Sequence, residues 1–226
     1  AACQARVLAV GTSEDIYHFA RNVPDLSNAD IMALQARVLT GGTAQEVCWF
    51  AQDVDGADIA ACQARIFELA LAYDIYEFAL KIPGADIAAC QAKVLELGDG
   101  LLASSFARDV KGADIATCQA HVMKVGEFYE LEAFAKDVPG ADIAALQARV
   151  LELDVECGDG GFCAYSFAKS IPSADVEVLY IHAQAQGFAG LNEQQRAEFE
   201  ALVAAYRAQR QQQAAQAEVE VAADAG

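Results

Sequence analysis

The sequence predicts an all-α protein, a right-handed α-solenoid of two-helix, 28-residue repeats with a C-terminal capping helix, and three observations predict it. The phrase Ala-Asp-Ile recurs with its Asp at Asp30, Asp58, Asp86, Asp114 and Asp142 in steps of 28 residues, and a sixth copy, Ala174-Asp175-Val176, follows after 33. Counted from that Asp, apolar residues fall at positions one, four, eight and eleven, as in Ile87, Cys90, Val94 and Leu97. That is the spacing of one face of a helix. A second apolar set at positions seventeen, twenty and twenty-four, as in Ile75, Phe78 and Ile82, marks a shorter helix ending at Pro83-Gly84. A fixed period of this kind signals stacked repeats, and it is shorter than the ankyrin, tetratricopeptide and HEAT periods.

The chain opens inside a copy, because Ala1-Ala2-Cys3-Gln4-Ala5 reads like Ala60-Ala61-Cys62-Gln63-Ala64. A missing N-terminal segment is therefore expected. Each repeating Asp suits a helix N-cap, its carboxylate accepting an orphan backbone N–H. Gly11, Gly42, Gly98 and Gly126 at position twelve suit a C-terminal stop. Neither helix is long enough to be stable alone, so stacking must supply the stability. The array is expected over residues 1–186, a partial first repeat followed by copies starting near residues 29, 57, 85, 113, 141 and 174. Residues 187–226 are expected to form a capping helix from Asn192 through Tyr206, then beyond about Ala214 a tail that is either disordered by its composition or a continuation of the helix.

The polar residues recur in rows. Gln4, Gln35, Gln63, Gln91, Gln119 and Gln147 stand at position five. Their amides suit either a ladder that satisfies inter-repeat turns or a polar row for a bound peptide. Position seven is basic or imidazole in every copy: Arg37, Arg65, Lys93, His121 and Arg149, flanked by Arg6 and His182. Glu68, Glu96 and Glu152 three places later suit intrahelical pairs, each contributing only about 0.2–0.5 kcal/mol. The functional reading makes Arg37, Arg65, Lys93, His121 and Arg149 a ribbon for acidic side chains or a C-terminal carboxylate.

Cys3, Cys62, Cys90 and Cys118 occupy position four, where Leu34, Leu146 and Leu179 stand in other copies. They read as core hydrophobes and point to a reducing cytoplasm, with a virion as the other compartment considered. Cys157 and Cys163 flank a five-residue insertion over residues 154–163. Its bland reading is a solvent loop, and a local disulfide or a cation site using Asp154, Glu156 and Asp159 are the sharper ones. No phosphate-binding glycine motif, serine elbow or paired histidine motif occurs, so no catalytic, cofactor-binding or metal residue is assigned and the chain is read as a non-enzyme.

The net charge of −18 argues against nucleic-acid and anionic-membrane binding, and no segment has the roughly 20 apolar residues of a membrane span. The phrase Ala-Asp-Ile-Ala-Ala-Cys/Leu-Gln-Ala-Arg-Val with Tyr-x-Phe-Ala-Lys/Arg-Asp-Val-Pro/Lys-Gly resembles short 28-residue two-helix repeat arrays of uncharacterised bacterial and bacteriophage proteins. The resemblance spans roughly residues 1–182, Phe106 to Ile115 being the nearest stretch, and it implies a repeat fold but no transferable functional residue. The function expected is a scaffold for a protein or peptide partner. The alternatives are a self-assembling filament or particle subunit, and an acidic nucleic-acid mimic that inhibits a basic protein. No small-molecule substrate is evident.

Overall fold

The computed structural model describes residues 2–224, with side chains over residues 3–217. Among the described residues it is all-helical. The helices are α1 (Ala2–Val10), α2 (Ser13–Asn22), α3 (Asn28–Gly41), α4 (Ala44–Asp53), α5 (Ile59–Leu69), α6 (Ala72–Lys81), α7 (Ile87–Leu97), α8 (Gly100–Asp109), α9 (Ile115–Val125), α10 (Phe128–Asp137), α11 (Ile143–Cys157), α12 (Phe162–Ser170), α13 (Val176–Ala185) and α14 (Glu193–Asp224). The chain divides into two compact units, Ala1–Cys118 and Gln119–Gly226, with the division inside α9.

The repeating Asp acts as expected at most copies. Asp58, Asp86 and Asp142 accept the backbone N–H of Ala61, Ala89 and Ala145 at 3.0–3.1 Å, and Asp175 accepts from Glu177 and Val178. Asp30 departs from the expectation. Ser27 caps α3, and Asp30 sits three residues inside, accepting the Ser27 hydroxyl at 2.6 Å. Ser27 stands four places after Val23, as Asp58 stands four after Val54, so Ser27 holds the capping place, with Asp25 in the left-handed region at φ 60°.

The glycines at position twelve also stop their helices for a different reason from the one expected. Gly42 and Gly98 are extended, at φ −82° and −99°, so no left-handed turn is made there. A Cβ on them would lie only 2.5 and 2.7 Å from the carbonyl oxygens of Val38 and Val94. Gly158 does end α11 in the left-handed region (φ 71°), but in the 28-residue copies the left-handed glycines come at the far end of the second helix. Gly84 and Gly112 (φ 86° and 91°) occupy the third place of tight turns closed by Ala85 N–H to Ile82 O and Ala113 N–H to Val110 O. A positive φ at that place is the type II signature and needs glycine.

The even-numbered helices of the first unit, α2, α4, α6 and α8, pack side by side with α3, α5 and α7 against them. In the second unit α10, α12 and α14 adjoin in the same way, with α11 and α13 alongside. Position four is completely buried whether Leu34, Cys62, Cys90 or Leu146 fills it. Phe50, Phe78, Phe106, Phe134 and Phe167 are buried to 1% or less, and each carbonyl accepts the N–H of the β-branched residue that ends its helix at 2.9–3.1 Å. Burying one such side chain stabilises the fold by about 1.5–3 kcal/mol.

Position eleven does not belong to the core. Leu69, Leu97 and Val125 are 40%, 49% and 50% exposed, because each is the last residue of its helix. Leu153, in a helix that continues to Cys157, is buried.

The insertion is no solvent loop. It lengthens α11 by a turn, and Gly160 then presses against the segment after α13 and Gly161 against α13 itself. Gly190 donates to the Gly160 carbonyl at 3.3 Å, and a Cβ on Gly161 would lie 2.6 Å from the Ala183 Cβ. Of the two readings of the tail, the continuing helix holds, α14 running to Asp224, while Ala1, Ala225 and Gly226 lie outside the described residues. Ala, Gln, Glu and Arg are strong helix formers, which explains the extension. Phe199 and Val203 bury its first half, and side chains from Arg207 to Ala217 are exposed.

Candidate functional site

The glutamine row is the ladder of the first reading. Gln35, Gln63 and Gln91 each clamp the peptide of the Asp that starts the next repeat, accepting its N–H at 2.8 Å and donating to its carbonyl at 2.8–3.4 Å. Gln119 and Gln147 do the same to Asp142 and Asp175 in the second unit. Both polar ends of these buried amides are thereby satisfied, so they are not available to a peptide. Gln4 differs, its Nε2 donating to the Asp30 carboxylate at 2.5 Å.

The basic row is answered largely by carboxylates on its own helices. Arg65 pairs with Glu68 at 2.7 Å and Lys93 with Glu96 at 2.9 Å, both side chains lying down with only 27% and 28% exposure. Arg149 meets Glu152 and Glu156 at 3.0 Å, its Nε donates to Met123 O, and the two carboxylates raise its pKa. His121 is half-buried with no partner for Nε2 among the described residues, and Arg37 is exposed. A ligand carboxylate would have to displace Glu68, Glu96 or Glu152 at the paired positions.

A different surface is left open. In the first unit, α6, α8 and the turns before them enclose a cleft of about 860 Å³. Leu71, Tyr73, Leu97, Leu101, Glu77 and Asp99 line it, the first four being 76%, 59%, 49% and 46% exposed. Tyr76 lies against it, buried, donating to Asp109 at 2.9 Å, and burial together with that carboxylate pushes its phenol up to about 12. The Tyr73 hydroxyl donates to Glu77 at 3.3 Å, and Glu77 also pairs with Lys81. A second hollow, of about 240 Å³ beside Trp49 and Asp74, shares Tyr73 and Glu77 with the first.

Leu71 stands where a helix cap belongs. Thr12, Thr43 and Asp99 hold the corresponding place before α2, α4 and α8, and each side chain accepts a backbone N–H. Leu71 has the same extended backbone, φ −78° and ψ 163° against −74° and 164° for Thr43, yet no side-chain acceptor. Its N–H reaches the Asp74 carboxylate at 3.2 Å and its carbonyl accepts the Asp74 N–H at 3.0 Å. A leucine in place of a capping residue costs about 0.5–2 kcal/mol. None of these residues is among the sequence-derived candidates. The signal lay in comparing Thr12, Thr43, Leu71 and Asp99, and in noticing that Leu97 ends its helix.

The insertion holds a buried polar group. Asp154, 1% exposed, accepts the Cys163 N–H at 3.1 Å and contacts His182 Nε2 at 2.9 Å, so its two oxygens are committed within the fold. Cys157 is exposed and Cys163 buried, both free thiols. Burial pushes the Cys62, Cys90, Cys118 and Cys163 thiols up to about 12, which suits inert packing rather than nucleophilic chemistry. Among the described residues no three metal-ligating side chains converge, and no helix is long and apolar enough to cross a membrane. Set against protein-family models, curated proteins and solved structures, the chain matches none.

Proposed function

We propose that the chain is a right-handed α-solenoid of two-helix repeats with a C-terminal capping helix, of the kind its sequence resembles in bacterial and bacteriophage proteins. Its role is that of a non-enzymatic scaffold that binds a protein or peptide partner along its repeat surface. The Gln-to-Asp clamp, recurring within each unit, supports the repeat reading. The observation that carries the binding role is an exposed large apolar residue at the start of successive second helices. Tyr73 and Leu101 in the first unit, and Tyr129 and Phe162 in the second, are 59%, 46%, 52% and 39% exposed. Apolar surface repeated in register is costly in water and marks an interaction face. The ion-paired row of Arg65, Lys93 and Arg149 contributes charge balance instead.

Photo-cross-linking tests the role. A benzophenone side chain placed at Tyr73, or on the first-helix side at exposed Ala92, is irradiated in an extract of cells that produce the protein. Discrete adducts from Tyr73 and none from Ala92 are expected. Silence at both positions overturns the scaffold reading, and light scattering that shows mass climbing with protein concentration replaces it with self-assembly.

A further inference from the structure

We infer that the cleft between α6 and α8 docks a basic amphipathic segment of a partner protein, with Leu71 as its apolar anchor. This rests on the scaffold reading above and names the occupant. Four apolar side chains, Leu71, Tyr73, Leu97 and Leu101, face the same opening, and the adjoining hollow beside Trp49 carries the surface further than one small molecule would cover. The partner must therefore bring apolar groups at more than one place.

Charge decides the rest of the occupant. Asp74, Glu77 and Asp99 stand around the two hollows, and Lys81 is the cation lining them. Lys81 is committed to Glu77, while Asp74 and Asp99 have no ion pair among the described residues. Covering these carboxylates with a neutral segment would strip their water without replacing it, and an acidic segment would be repelled. Lysine or arginine on the partner satisfies both. The chain's net charge of −18 steers such a segment inward.

Leu71 makes the inference separable from stability. Its backbone already matches Thr43, and Asp74 already sits three residues on, so Leu71→Thr completes a capping box. A purely structural leucine would be replaced there at no loss; a binding anchor would not.

The experiment measures fluorescence anisotropy of labelled amphipathic peptides of about 18 residues, roughly five helical turns. One peptide is built of Leu and Lys, its counterpart of Leu and Glu. The wild type is expected to bind the Leu/Lys peptide and not the Leu/Glu peptide. Leu71→Thr is expected to weaken binding about tenfold or more while raising Tm by about 2–4 °C. Asp99→Asn, which keeps a capping side chain and removes the charge, is expected to weaken it several-fold. Val155→Thr, at an exposed apolar position of the second unit, is expected to change nothing. Equal binding by wild type and Leu71→Thr, equal binding of the two peptides, or no binding of the Leu/Lys peptide overturns the inference. If Tyr73 cross-links persist in that event, the scaffold reading stands with another occupant; if they are absent too, both fall.

Discussion

Gln91 Oε1 accepts the backbone N–H of Asp114 at 2.8 Å while its Nε2 donates to the Asp114 carbonyl at 3.0 Å. One side chain thus replaces a stretch of backbone pairing at the point where the chain enters its next first helix. Gln91→Leu keeps the volume and orphans the Asp114 N–H, while the Asp114 carbonyl keeps the Cys118 N–H at 3.1 Å. An unsatisfied group costs about 1–3 kcal/mol, so a loss of at least about 1 kcal/mol is expected in urea unfolding. A change below about 0.5 kcal/mol would show that water replaces the amide without penalty.

Thiol labelling reads the core directly. At pH 8 the native protein is expected to react at exposed Cys3 and Cys157 and to spare Cys62, Cys90, Cys118 and Cys163, whose pKa values stand near 12 through burial. Cys48, half-buried and raised to about 11, is expected to react slowly. All seven react in denaturant. Rapid native labelling at Cys90 by mass spectrometry would contradict the packing.

Two glycine substitutions separate backbone strain from crowding. Gly112 has φ 91° and open space, with nothing within 4 Å of the point a methyl group would occupy, so Gly112→Ala carries only the conformational cost, about 1–3 kcal/mol. Gly161 has φ 102° and a Cβ there would meet Ala183 at 2.6 Å. Gly161→Ala is therefore expected to lower Tm by clearly more than Gly112→Ala. Equal losses would mean that α13 yields freely at Ala183.

Acid is expected to loosen α14. Glu198 accepts from Lys169 at 2.8 Å and from the Tyr165 hydroxyl at 2.6 Å, with Gln194 as a third donor, and these hold its pKa at about 2, below its ordinary 4.5. A depressed carboxylate stabilises the fold fully above its unfolded value and loses that contribution as pH falls through the folded one. The Tm difference between wild type and Glu198→Gln is thus expected to be largest above about pH 5 and to shrink towards pH 2. A difference independent of pH would detach the effect from ionisation.

The helical class, the capping role of Asp58, Asp86 and Asp142, and the equivalence of Cys90 with Leu146 in the core are all legible in the residue order. Those features follow from local rules, since capping and periodicity are written into residues a few places apart. Tertiary structure decided what local rules leave open. Leu97 and Leu153 hold the same repeat position, yet one is exposed and the other buried, because α7 stops at that residue and α11 runs on. Glu68 three places after Arg65 is legible as an intrahelical partner, whereas the reach of Glu156 to Arg149 appears only in space. The 154–163 insertion read as a loop until Gly160 and Gly190 were brought together across intervening helices. Exposure and pairing are properties of what lies opposite a side chain, and only the packed chain supplies that.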